Sequence, residues 1–194
     1  MNRKVGLFFG TFNPIHIGHL IIANHMVEFS DLDEVWLVVT PHNPFKKKSS
    51  LLENHHRLEM VYKACEGYEN LKPSDIEFGL PQPNYTVTTL AHLREKYPTN
   101  EFCPIMGEDN LKSFHKWKNY EVILENHQIY VYPRMATGKI QEQFKNHPKI
   151  TLVSAPIMEI SSTFIRQAIK EEKNIKPMLP SAVWDYINLM NFYR

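Results

Sequence analysis

The chain has 194 residues, 43% of them hydrophobic and 22% charged, a balance that suits one folded globular domain and excludes disorder. Its 22 basic and 21 acidic side chains leave a formal net charge of +1, so no global field draws in nucleic acid or an anionic membrane. Cys65 and Cys103 form neither a CxxC pair nor a Cys/His cluster with zinc spacing, and no window approaches the ~20 apolar residues that span a bilayer. Reduced thiols in a cytoplasmic protein are expected. The apolar run Val5 to Phe9 is too short for the core of an export signal.

That run reads as a first buried strand. Behind it, Phe9-Gly10-Thr11-Phe12-Asn13-Pro14 is a Gly/Pro turn, and Ile15-His16-Ile17-Gly18-His19-Leu20 begins a helix with an expected stripe at Leu20, Ile21, Ala23, Asn24 and Val27. Strand, turn and helix in that order put the turn at the carboxyl end of a strand, where open parallel sheets bind ligands. Gly10 lets the backbone approach a bulky ligand, and His16 and His19 share one helical face beside N–H groups that favour anions. A polyphosphate suits such a corner. A histidine pair taken alone is more simply a capped helix start with half-buried rings; zinc is a third reading, although the i, i+4 spacing and glutamate of the zincin pattern are missing. The preceding strand and the Thr-Phe-Asn-Pro turn favour phosphate.

Glu34 to Val39 is a second strand, which completes a β-α-β unit with a parallel, buried sheet. The following stretch, Thr40 to Ser50, carries two prolines and Lys46, Lys47 and Lys48; alone it reads as a solvated loop. A second helix opens at His55-His56-Arg57, with Leu58, Val61, Tyr62 and Cys65 toward the core; the adjacent histidines point apart and make no joint ligand face. Leu71 to Phe78 is a third strand, and Asn84 to about Tyr97 a third helix whose early hydroxyls read as caps.

A fourth strand, Glu101 to Gly107, leads into the acidic turn Glu108-Asp109-Asn110, which on its own is a helix cap. Trp117, set among lysines, is less easily explained as core. Gln128 to Tyr132 is a fifth strand, residues 136–147 a polar helix, and Lys149 to Val153 a sixth strand. Ser161 caps another helix, which places Ser162 and Arg166 at i, i+4 on one face. The last helix shows an apolar face at Val183, Tyr186, Ile187 and Met190. No repeat, low-complexity tract or linker divides the chain.

Two of these segments carry a resemblance. Phe9 to Leu20 resembles the His-x-Gly-His motif of the nucleotidyltransferase superfamily, in the long form found in bacterial nicotinate-nucleotide adenylyltransferases. Ile160-Ser161-Ser162-Thr163-Phe164-Ile165-Arg166 resembles their Ile-Ser-Ser-Thr-x-Ile-Arg motif. Phe9, Asn13 and Thr88 depart from the pattern, which has Gly, Asp and Asp there.

The resemblance implies a Rossmann-like α/β nucleotidyltransferase fold, a mainly parallel sheet with helices on both faces, in a single domain over residues 1–194. It implies transfer of AMP from ATP, with Mg2+, to nicotinate mononucleotide, giving nicotinate adenine dinucleotide and pyrophosphate. His16, His19, Lys46 and Arg166 carry the catalytic charge neutralisation. ATP contacts transfer to Gly10, Thr11, Phe12, His16, His19, Gly107, Asp109, Ser161, Ser162, Thr163 and Arg166, and mononucleotide contacts to Tyr85, Thr86 and Trp117. No metal site of the protein's own, no nucleic acid and no membrane partner are implied; Arg134 receives no role and self-association stays open. Runners-up are a related enzyme acting on nicotinamide mononucleotide or phosphopantetheine and a non-catalytic nucleotide sensor.

Overall fold

A computed structural model describes residues 3–41, 51–135 and 140–194. Six strands, β1 (Lys4–Gly10), β2 (Glu34–Val39), β3 (Leu71–Ser74), β4 (Glu101–Gly107), β5 (Ile129–Tyr132) and β6 (Ile150–Leu152), form one sheet in the order β3-β2-β1-β4-β5-β6. Each neighbouring pair is parallel. The strand order reverses at β1, between β2 and β4, so a crevice opens at the carboxyl ends of these central strands.

Among the described residues, helices α1 (Ile17–Glu28), α2 (Asn54–Cys65), α3 (Thr86–Lys96), α4 (Glu108–Lys112), α5 (Tyr120–Asn126) and α6 (Glu142–Lys145) lie between the strands, and α7 (Ser162–Lys170) and α8 (Ser181–Leu189) follow β6. Successive side chains of β1 point to opposite faces. Accordingly Val5 and Leu7 join Leu90, Leu93 and Ile123 of α3 and α5, whereas Phe8 joins Ala23, Met60, Ile165 and Val183 of α1, α2, α7 and α8. The sheet is therefore covered on both faces, as expected of strands that are apolar on both sides.

The structure corrects the sequence in detail. In α1 the buried side is Leu20, Ile22, Ala23 and Met26, while Ile21, Asn24 and Val27 are only half-buried. The apolar run there offers two overlapping faces, and packing on β1 and β2 selects between them. β3 ends at Ser74; beyond it Phe78 N–H donates to Asp75 O at 2.8 Å in a turn. Of the expected 136–147 helix, the described residues 140–147 are helical at α6. His55 and His56 do not point apart, for their rings meet at 3.9 Å, and His56 Nδ1 lies 2.9 Å from the Tyr186 hydroxyl of α8.

The second helix departs most from its expected face. Tyr62, expected in the core, is 52% exposed, whereas Arg57 is completely buried. Its guanidinium donates to Leu52 O at 2.9 Å, Thr11 O at 2.7 Å, Thr40 O at 2.9 Å and Asn54 Oδ1 at 2.6 Å. One side chain thus satisfies carbonyls in the segments following β1 and β2, where no strand partner remains. Burial lowers its pKa to about 10, still far above neutrality, so the charge persists. Replacing Arg57 by Leu should strand these carbonyls and cost about 3 kcal/mol or more. Urea unfolding of the variant measures this; a loss below about 1 kcal/mol would mean that the bonds are dispensable.

Candidate active site

The first motif is built around missing Cβ atoms. A Cβ on Gly10 would lie 2.8 Å from the Phe12 ring, and one on Gly18 would lie 3.1 Å from the His16 ring. Between them the chain folds tightly: Phe12 holds φ at +43°, a conformation uncommon for a bulky residue, and the Asn13–Pro14 peptide is cis. At the start of α1, His19 Nδ1 accepts the backbone N–H of His16 at 3.2 Å, and the two rings stack at 3.7 Å. Because Nδ1 accepts, neutral His19 carries its proton on Nε2. Phe12 and Phe8 pack edgewise on the same ring at 5.0 and 6.0 Å.

The second motif is bonded directly to the first. Ser161 caps α7 by accepting from Phe164 N–H at 3.2 Å. Ser162 donates its hydroxyl to Pro14 O at 2.8 Å, and Arg166 donates to Asn13 O at 2.8 Å and Thr163 Oγ1 at 3.3 Å. Residues about 150 positions apart thus close one site.

A cavity of about 490 Å³ lies over this junction. Gly10, Thr11, Phe12, His16, His19, Asp109, Ser161, Ser162, Thr163 and Arg166 all line it, and Arg134 joins them. Gly107 sits beneath: a Cβ there would collide with the Asp109 carboxylate and lie 2.8 Å from Arg134 Cδ, so the glycine lets both side chains cross it. Sequence gave no role to Arg134, since its order relative to Pro133 is unusual; the glycine ending β4 was the available signal that something crosses there.

An adjoining cavity of about 410 Å³ shares Phe9, Thr40 and Asn110 with the first, and Tyr85, Thr86 and Trp117 line it. Trp117 packs edgewise at 5.4 Å on buried Phe114 and is itself part of the cavity lining. Lys118 Nζ stands 4.4 Å over the Tyr85 ring. Glu77, also in the lining, accepts from the Thr89 hydroxyl at 2.7 Å. Lys46 lies outside the described residues. Among the described residues no group of three or more metal-ligating side chains gathers, and Asp109 is the carboxylate that lines the larger cavity.

Burial, seconded by the charge of Arg134, pushes the His16 pKa down to about 4. At neutral pH this ring is therefore a hydrogen-bonding group and not a cation. Burial raises the Glu77 pKa, against hydrogen bonds from Thr89 and Thr40. The permanent charges lining the larger cavity are then Arg134 and Arg166 against Asp109, with imidazoles and hydroxyls between them, a setting for a polyanion. The smaller cavity is an aromatic slot with a cation at its rim, suited to a flat ring bearing a negative group.

Residues 7–168 match the model of the cytidylyltransferase-like family. A probable nicotinate-nucleotide adenylyltransferase of Christiangramia forsetii is 77% identical over 194 residues, all of both chains. Its counterpart in Flavobacterium johnsoniae is 67% identical over 191 residues, 98% of this chain and 99% of the relative. Among solved structures, a Plasmodium falciparum nicotinic acid mononucleotide adenylyltransferase complexed with NaAD is similar with a TM-score of 0.82, covering 99% of this chain and 98% of that one at 22% identity, a likeness of fold.

The state of His16 is measurable. Unfolded, this histidine takes up its proton near pH 6.5; folded, only near pH 4. The unfolded state thus binds more protons across that window, and stability is lost as the pH is lowered through it, by up to roughly 3 kcal/mol from this group alone. NMR titration of the ligand-free protein should show one histidine neutral down to pH 5. A midpoint above 6 for His16 would contradict the buried, neutral ring.

Proposed function

The chain belongs to the cytidylyltransferase-like family, and on that premise we propose that it transfers AMP from ATP to nicotinate mononucleotide, giving nicotinate adenine dinucleotide and pyrophosphate on the way to NAD. The observation that carries this reading is the pairing of two cavities, one cationic and one aromatic, that meet at Phe9, Thr40 and Asn110. Two substrates seated so bring phosphate against phosphate. The relatives at 77% and 67% identity, named for the same reaction, support it.

The mononucleotide phosphate is itself the nucleophile, so no side chain need form a covalent intermediate. Its oxygen bonds to the α-phosphorus while the bond to the β-phosphate bridge breaks in line. Catalysis is then positioning and charge neutralisation. Arg166 and Arg134 compensate the leaving pyrophosphate, His19 offers Nε2–H, and His16 contributes a neutral hydrogen bond whose basicity rises when an anion enters. Ser161, Ser162 and Thr163 shape the phosphate end, Asp109 the ribose end, and Lys46 supplies a further cation. Mg2+ would accompany the nucleotide, with Asp109 the described carboxylate in the lining placed to help hold it, and would supply further neutralisation of phosphate charge. We take residues 1–194 as one transferase unit acting on small molecules in the cytoplasm.

Acid is distinguished from amide at the smaller cavity. The free N–H groups at the start of α3, next to Tyr85 and Thr86, favour a carboxylate, as does Lys118. Trp117 stacks on either ring. Phosphopantetheine, which lacks a flat ring, would leave the Tyr85–Trp117 slot unused.

With ATP, Mg2+ and each pyridine mononucleotide, chromatography should show nicotinate mononucleotide preferred by about tenfold or more, the worth of one charge-assisted bond. Trp117→Ala should weaken both pyridines alike. Equal efficiency on the two would sink the assignment of the α3 start. Arg166→Lys, losing the planar fork, should raise the Michaelis constant for ATP far more than that for the mononucleotide; equal damage to both would remove Arg166 from the triphosphate.

A further inference from the structure

The segment after α8 reaches back to the phosphate turn. α8 closes with paired bonds, Asn191 N–H to Asn188 O at 3.2 Å and Phe192 N–H to Ile187 O at 3.0 Å, with Asn191 at φ +55°. This is a Schellman closure with asparagine in the left-handed position. It turns the chain so that Phe192 packs on His56 at 4.8 Å and Tyr186 at 5.9 Å. Tyr193 follows, held at φ +66°, a conformation unfavourable for an aromatic residue unless its surroundings impose it.

What holds it lies in the site. The Tyr193 hydroxyl donates to Asn13 Oδ1 at 2.9 Å, the atom that also accepts from Leu52 N–H at 3.3 Å. Asn13 is 1% exposed, and its carbonyl is the acceptor of Arg166. Burial raises the Tyr193 pKa, while the nearby charges of Arg166 and Arg57 lower it; the net shift is upward, so the phenol remains a donor in any ordinary assay. A single residue, Asn13, therefore links the tail to the guanidinium at the phosphate end.

We infer that Tyr193 is a positioning residue for the phosphate turn, fixing Asn13 so that Arg166 is aimed at the nucleotide. The inference rests on the adenylyl-transfer reading, and it separates the two cavities: Asn13 lines the larger one and is absent from the lining of the smaller. Loss of the hydroxyl should thus be felt by ATP and not by the pyridine mononucleotide. A residue that merely stabilised the fold would affect both alike.

Tyr193→Phe in the full chain removes one oxygen and keeps the ring. We expect kcat/KM for ATP, and the affinity for ATP in titration calorimetry, to fall about 5- to 20-fold. The KM for nicotinate mononucleotide should stay within twofold, with a melting temperature within a few degrees of wild type. In an Asn13→Ala background, adding Tyr193→Phe should change kcat/KM for ATP less than twofold, since the path through Asn13 is already cut. Unchanged ATP affinity and turnover in Tyr193→Phe would overturn the inference, as would equal losses for both substrates with a lowered melt. A wild-type protein that forms no dinucleotide would refute the adenylyl-transfer reading, and the calorimetric comparison would still decide the role of Tyr193.

Discussion

Everything in the site hangs on the carbonyls of a short turn. After β1 the chain leaves the sheet and folds through Phe12 and a cis proline, and its carbonyl groups lose strand partners where little water reaches. Such groups must be paired. Arg57 of α2 takes Thr11 O, Ser162 of α7 takes Pro14 O, and Arg166 takes Asn13 O. The turn is thereby tied to elements that lie far away in sequence, and the histidines that follow it inherit a fixed position. Preorganisation here is a matter of hydrogen-bond accounting in the backbone.

The same need explains the two arginines' different fates. Arg57 is fully buried and satisfies only its own fold; Arg166 is half-buried, holds the turn and lines the larger cavity. His16, packed so that its charge is suppressed, is a neutral hydrogen-bonding ring at neutral pH, and His19 is fixed in orientation by the bond that its Nδ1 accepts. An anion arriving there meets donors that need no rearrangement.

Much of this was legible in the sequence. The continuous apolar runs of β2 and β4 gave their limits as observed, because strands buried on both faces have a strong local signal. The two motifs stand, as their sequence context implied, after β1 at the start of α1 and at the start of α7. Less legible was whatever depends on partners that carry no side-chain signature. Nothing in the sequence marked Arg57 for burial, since the carbonyls it binds belong to any sequence. Ile22 displaced Ile21 from the core because the sheet chose between two equivalent apolar faces. Arg134 and Tyr193 gained their roles from tertiary geometry: a missing Cβ at Gly107 in one case, a left-handed helix closure in the other.

The proposed transfer, with the mononucleotide phosphate as nucleophile, is one direct displacement at phosphorus. That has a stereochemical signature. ATP made chiral at the α-phosphorus with sulfur should give dinucleotide with inverted configuration, as a single in-line attack by the mononucleotide phosphate requires. Retention would mean two displacements through an adenylylated side chain, and would contradict a site that works by positioning and charge alone.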